Sequence, residues 1–149
     1  MKLSLFILLL AVFVACSDNS FKNDYLSLEV RLAQSDPGQN LEKMILYNSD
    51  KNFFVKDSVF LKNNHITATE VLDWETHPKV RVMLNDEGRQ IFAEFTERNV
   101  GRIAAIIVDG KLMSAPLINA PIKEGQLIIV GFFSHEEAVN IADGIVPKD

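Results

Sequence analysis

Cysteine is almost absent: Cys16 is the single one in 149 residues. One thiol cannot build a disulfide framework or the thiolate set of a structural zinc site, since each needs at least two. Glycine and proline are scarce too, seven and five residues, which excludes a collagen repeat and long flexible linkers. Positive charge is in deficit. Lys and Arg total 15 against 20 Asp and Glu, for a formal net charge of −5. That balance argues against nucleic acid as a partner, because such binding relies on Lys and Arg neutralising phosphates. It equally argues against docking on anionic lipid by charge alone. No P-loop, dinucleotide fingerprint or G-x-S-x-G nucleophile context occurs. With 48% hydrophobic and 23% charged residues, the composition fits one globular domain, and a chain of this size buries roughly two-thirds of its unfolded surface.

The N-terminus reads as an address. Met1-Lys2 leads into an apolar run from Leu5 to Ala15, which Cys16 closes and Ser17-Asp18-Asn19-Ser20 follows. A positive charge before a short apolar run is a secretory signal pattern, and the run is shorter than the ~20 residues that span a bilayer. Phe13-Val14-Ala15-Cys16 resembles a bacterial lipobox, with Phe13 where Leu is usual. Residues 1–16 are therefore expected to be a lipoprotein signal peptide with Cys16 as the lipid attachment point, carrying palmitate-like acyl chains. Residues 17–24 are then a polar tether. Each buried methylene contributes roughly 0.8 kcal/mol, so two or more acyl chains hold a domain at a membrane stably. The plainer alternative makes Cys16 a small apolar residue in an ordinary cleaved signal. The expected location is the bacterial cell envelope, lipid-anchored and facing outside the cytoplasm.

Beyond the tether, Leu26, Leu28, Val30 and Leu32 alternate with Ser27, Glu29 and Arg31, the period of a half-buried strand. Asp36-Pro37-Gly38 ends it with turn chemistry. The next stretch is less periodic: Met44 to Tyr47, Phe53 to Val55, Val59 to Leu61 and Thr67 to Val71 are short apolar runs, either strands or loop anchors. From Val80 the pattern sharpens. Val80, Val82 and Leu84 read as a strand. Asn85 caps a helix with Asp86 and Glu87 in its first turn, which buries Ile91, Phe92 and Phe95 and stops at Asn99-Val100-Gly101. Ile103 to Val108 is apolar throughout, as in a strand covered on both faces. Asp109-Gly110 is a two-residue hairpin turn, and Pro116 and Pro121 exclude a regular central strand after it. Glu124-Gly125 turns into Leu127 to Val130. Ser134 and Glu137 form a capping box for a helix burying Ala138, Ile141, Ala142 and Ile145. The order strand, helix, hairpin, strand, helix fits an α+β fold: a mostly antiparallel, ferredoxin-like sheet with two helices packed on one face. Residues 25–79 form a β-rich extension and 80–146 the α+β region, together one domain.

Val80-Arg81-Val82-Met83-Leu84-Asn85-Asp86-Glu87-Gly88 with Phe92-Ala93-Glu94-Phe95-Thr96 resembles the periplasmic head subdomain of the SecD family, accessory membrane subunits of bacterial protein export. Asn99-Val100-Gly101-Arg102-Ile103-Ala104, Val108-Asp109-Gly110-Lys111, Ser114-Ala115-Pro116, Ala120-Pro121-Ile122, Gly131-Phe132-Phe133 and Glu136-Glu137-Ala138 continue it in the same order. The resemblance covers about Val80 to Gly144 and reaches back more weakly through Leu28 to Leu32. It implies a module that contacts polypeptide or partner proteins, the export machinery among them. It does not imply a motor, because the family's proton-coupled motion uses membrane segments that have no counterpart in these residues.

Candidate sites are few. Asp73, Glu75 and His77 are spaced by two and on an extended segment would share one side, as a divalent metal requires. A solvated polar loop anchored by Trp74 is the favoured reading, with no metal and no cofactor. No catalytic residue is assigned: Ser114 lacks a nucleophile context, Ser134 serves as a cap and Asp109 as a turn residue. Ser114, Ala115, Pro116 and Leu117 are the candidate partner-binding residues, an edge open to an extended peptide. The competing reading, favoured on composition, packs Leu117 and Ile118 into the core. The chain is thus expected to be a non-catalytic envelope lipoprotein that contacts polypeptide or a protein partner, with no nucleic acid and no small-molecule substrate. The alternative is an envelope structural or sensing module with no role in export.

The anchoring expectation has a direct test. Cys16→Ser should abolish incorporation of a fatty-acid analogue and leave uncleaved precursor, because the serine hydroxyl does not accept the diacylglyceryl group. Wild-type chain that is cleaved normally yet takes up no label would show a freely secreted domain.

Overall fold

The computed structural model describes residues 25–73 and 77–147. Cys16, the tether, Trp74 and Glu75 lie outside the described residues. The elements in chain order are β1 (Leu28–Gln34), β2 (Leu41–Ile45), β3 (Asn52–Leu61), a 3-10 turn (Asn63–His65), β4 (Ile66–Leu72), β5 (Lys79–Leu84), α1 (Asp86–Arg98), β6 (Ile103–Val108), β7 (Lys111–Ser114), β8 (Gln126–Val130) and α2 (His135–Ile145).

β6 has no polar side chain, so both of its faces need cover. It lies between β1 and β7 in a five-stranded sheet of order β2-β3-β1-β6-β7. Ala104, Ile106 and Val108 enter the main core, while Ala105 and Ile107 enter a second, smaller cluster with Ala33, Val55 and Leu112. The second cluster exists because the sheet curls. Its two outer strands meet: Leu46, just past β2, bridges Leu112 of β7, and Tyr47 N donates to Leu112 O at 2.8 Å. Register shifts between β1 and β3, and again between β6 and β7, are the irregularities that let strands coil this tightly. Small Ala33 and Ala105 suit the narrow concave side.

The remaining strands form a separate antiparallel sheet, β4-β5-β8. One sheet was expected; the pairing divides the strands between two, so a single ferredoxin-like sheet is not the observed arrangement. The physical reason is the curl. β7 is drawn toward β2, and β8 pairs with β5 instead. The α+β class and the antiparallel pairing of all named strands hold. α2 packs on β4 and β5, and α1 on β3, β5 and the 3-10 turn. Their sequences dictate those contacts. α1 starts where Asn85 Oδ1 accepts from Gly88 N at 2.8 Å, and buries Phe92 and Phe95. α2 starts at the Ser134–Glu137 capping box and buries Ala138, Ile141, Ala142 and Ile145. The Asp109-Gly110 turn takes positive φ at both residues, 48° and 74°, the requirement of a type I′ hairpin.

One buried polar side chain ties the first strand to the last helix. Asn63, 7% exposed, donates from Nδ2 to Leu26 O at 2.8 Å and Ile145 O at 2.7 Å, and accepts from Leu28 N at 2.8 Å. These three backbone groups belong to neither sheet ladder nor helix interior, so the amide replaces water for all of them. Asn63→Ala should destabilise the fold by about 3 kcal/mol, since each orphaned buried group costs about 1–3 kcal/mol. Urea unfolding with an unchanged slope reads the effect. A loss below about 1 kcal/mol would mean that water replaces the amide.

Candidate functional site

After β7 the chain stays beside β6 without regular pairing. Pro116 O accepts from Ala104 N at 2.9 Å, Ile118 N donates to Arg102 O at 2.8 Å, and Gly101 N donates to Ile118 O at 2.8 Å. Leu117 bridges Ile103 between these bonds. Successive residues of an extended chain turn their backbone groups to opposite sides. Pro116 and Ile118 face β6, so Ala115 and Leu117 present N–H and C=O outward, where they make no hydrogen bond with the described residues.

β8 presents a second open edge. It is the outer strand of its sheet. Leu84 N donates to Gly125 O at 2.9 Å, and the register continues as Val82 with Leu127 and Val80 with Ile129. Leu127 and Ile129 therefore turn their backbone groups to β5, and Gln126, Ile128 and Val130 turn theirs away. The two edges touch at one end: a Cβ built on Gly131 would lie 2.7 Å from Met113 O, so only glycine permits that approach. Beyond this point an apolar groove of about 500 Å3 lies between them. Val30, Ala104 and Ile106 of the curled sheet and Phe92 and Thr96 of α1 line its base. The 119–124 loop bounds one side, held where Ile122 N donates to Thr96 Oγ1 at 2.9 Å and Arg89 Nε donates to Lys123 O at 3.0 Å. Leu117 and Val130 stand at the rim, 54% and 47% exposed, with Phe132 near the closed end at 55%. Large apolar side chains left in water around one apolar groove mark a contact surface.

Of the four residues singled out from sequence, Pro116 and Leu117 line this groove, Ser114 is buried and Ala115 half-buried. The packing reading of Leu117 and Ile118 is half right: Ile118 is 5% exposed and in the core, whereas Leu117 points outward. Sequence reasoning missed the opposite wall. Val130 and Phe132, apolar and two apart at a strand end, were the available signal. Thr96 carries no signal of its own, being one polar residue in an amphipathic helix.

Of the Asp73, Glu75, His77 spacing, Glu75 lies outside the described residues. Asp73 Oδ1 lies 2.8 Å from His135 Nδ1, both side chains exposed, and His77 edges against the Phe132 ring at 6.1 Å. Among the described residues no three His, Cys, Asp or Glu side chains gather around a common point. His65 is buried and accepts Lys62 N on Nδ1 at 3.2 Å.

A polar latch joins the curled sheet to α2. The Tyr47 hydroxyl donates to Glu137, and the other Glu137 oxygen accepts Ser134 N at 2.7 Å. The Tyr47 bond first, then the Ser134 N–H, holds the Glu137 carboxyl below the usual 4.5. The same bond, then burial, pushes the Tyr47 phenol above 10.0. A depressed carboxylate contributes stability that is complete above its unfolded pKa and is lost as pH falls through the folded one. Tyr47→Phe removes the larger cause. The variant should lose less stability than wild type on acidification below about pH 4.5, read as a flatter melting-temperature profile. Parallel profiles would show that the latch carries no pH dependence.

Residues 40–145 match the family described as SecDF, P1 head subdomain. That span takes in β2 to β4 as well as the region from Val80. Among curated relatives, protein translocase subunit SecD of Dictyoglomus turgidum is 49% identical over 82 residues, which is 55% of this chain and 20% of that one. SecD of Rickettsia typhi is 40% identical over 89 residues, covering 59% and 17%. SecD of Desulfurispirillum indicum is 37% identical over 110 residues, covering 72% and 20%. The chain thus spans about a fifth of these relatives' length. A solved structure of a membrane component SecDF that enhances protein export superposes with TM-score 0.65 at 23% identity, covering 83% of this chain and 63% of that one. SecDF in its super-membrane-facing form also gives 0.65, at 22% identity, covering 83% and 19%. With a family match across most of its residues and the same fold in solved SecDF, the chain belongs to the SecDF P1 head subdomain family.

Proposed function

We propose that this chain is a non-catalytic protein-export module of the cell envelope, which contacts extended segments of polypeptide through the groove beside Ser114, Ala115, Pro116 and Leu117. One observation carries the reading. An apolar groove opens between two strand edges whose outward-facing backbone groups have no partner among the described residues, with Leu117 and Val130 exposed at its rim. Family membership supplies the export context. The relatives are named translocase subunits, and the related structure is of a component that enhances protein export. Attachment through a lipid on Cys16 would hold the module at the membrane, with residues 17–24 as tether and 25–146 as the working domain. The export machinery is then the neighbour, and emerging polypeptide the client. Among the described residues no helix is long and apolar enough to cross a membrane.

A photo-crosslinking side chain placed at Leu117 or Val130 of the full chain should form adducts with exported polypeptide. The same side chain at Ile45, 60% exposed but outside the groove, should form few. Leu117→Asp should lower adduct yield at position 130 several-fold, because a carboxylate at an apolar rim must be desolvated for an apolar guest to enter. Equal yields at all three positions would favour the other reading, an envelope structural or sensing module without a role in export.

A further inference from the structure

We infer that the guest is held as an inserted strand that pairs with both walls of the groove at once, so that recognition is of backbone rather than sequence. The inference rests on the reading of the groove as a polypeptide site and specifies its ligand class: a short extended segment, free of proline, with small or β-branched apolar side chains.

The occupant follows from the complementarity of the walls. Ala115 and Leu117 present outward N–H and C=O on one side, and Gln126, Ile128 and Val130 do so on the other. Such rows of alternating partial charge are complementary to one kind of object, an extended backbone. A helix has already satisfied its own backbone groups, and a lipid chain or detergent has none to offer. Pro116 supports the assignment: its missing N–H falls on the β6 side, so the outward row of this wall is not interrupted. The floor is apolar and includes Ala104, while rim Leu117 and Val130 flank the groove. Side chains of a guest strand alternate between floor and solvent, so alternate guest positions are selected for being apolar and the rest are unselected. The contact of Gly131 with Met113 closes one end, which sets where the guest strand must stop. The walls each offer two or three outward-facing residues, enough to pair a guest of roughly three to four residues.

Backbone N-methylation of a fluorescent peptide of about eight alternating Val and Thr residues, titrated by anisotropy into the full chain, tests this. In an inserted strand odd residues pair with one wall and even residues with the other. N-methylation of the central odd positions and of the central even positions should each weaken binding about tenfold, while methylation at the peptide ends changes little. Ile128→Pro and Leu117→Pro, which each delete one outward N–H and no ladder bond, should weaken binding of the unmethylated peptide. Weakening by only one methylated series would overturn two-wall pairing in favour of a single edge. No effect of either series would overturn strand pairing while leaving apolar contact in the groove intact. No binding of the unmethylated peptide would instead remove the groove as a polypeptide site. A concentration-dependent dimer in sedimentation, undiminished by saturating peptide, would assign the edges to a second copy and overturn the inference.

Discussion

A strand that is apolar on both faces sets the architecture around it. Ile106 and Ile107 follow one another in β6 and are buried on opposite sides, 4% and 3% exposed. Covering each is worth roughly 1.5–3 kcal/mol, and leaving either face in water would forfeit that. The main core, with its helices and second sheet, covers one face. The curl of the five-stranded sheet covers the other, and it can only do so by bringing β7 to β2 at Leu112 and Leu46. A strand drawn toward Leu46 on one side cannot run flush with β8 on the other. The two sheets therefore share side-chain packing but no ladder, touching at Met113 and Gly131 and nowhere paired along the groove. The open edges are a consequence of how β6 is buried.

That dependence explains what the sequence disclosed. Elements whose periodicity comes from a single covered face were legible: β5, α1, β8 and α2 lie where Val80 to Ile145 places them, with both caps formed by the residues that announced them. β6 was legible for the opposite reason, an unbroken apolar run. β3 was read as two short runs because Lys56-Asp57-Ser58 interrupts its apolar residues. The structure makes it one strand, Asn52–Leu61, exposed at those three residues where its register against β1 shifts. β2 is a half-exposed outer strand, so little burial constrained its sequence. The division into two sheets had no local signature at all, since it is fixed by the meeting of Leu46 with Leu112, 66 positions apart in a chain of 149.

The site was legible to a similar, partial degree. Ser114 to Leu117 drew notice because proline breaks an otherwise apolar stretch beside a hairpin, and that wall of the groove was found by residue type. The split between exposed Leu117 and buried Ile118 required the bonds of Pro116 and Ile118 to β6, which fix the side each neighbour faces. Asn63 shows the converse. It holds three backbone groups together across the core, yet in sequence it is one asparagine of a polar loop. Polar residues whose work is to satisfy distant backbone are invisible to periodicity, because the groups they serve come from elsewhere in the chain.

If the groove takes the extended segment proposed above, its energetics suit a chain that has to move on. A guest of three or four residues gains a few hydrogen bonds of net 0.5–1.5 kcal/mol each and covers apolar area at about 25 cal/mol per Å2. Against these stand about 4–15 kcal/mol of lost translational and rotational freedom and the ordering of the segment. Gains and costs are of similar size, so such a guest would be held weakly. Release of such a guest would need no chemistry, only the exchange of edge hydrogen bonds for water. Recognition by backbone would leave acceptable any later segment of the same polypeptide that lacks proline and is apolar at alternate positions. If the groove is used as proposed, it would engage one segment after another of an unfolded chain and pass over a folded domain, whose edges are already covered.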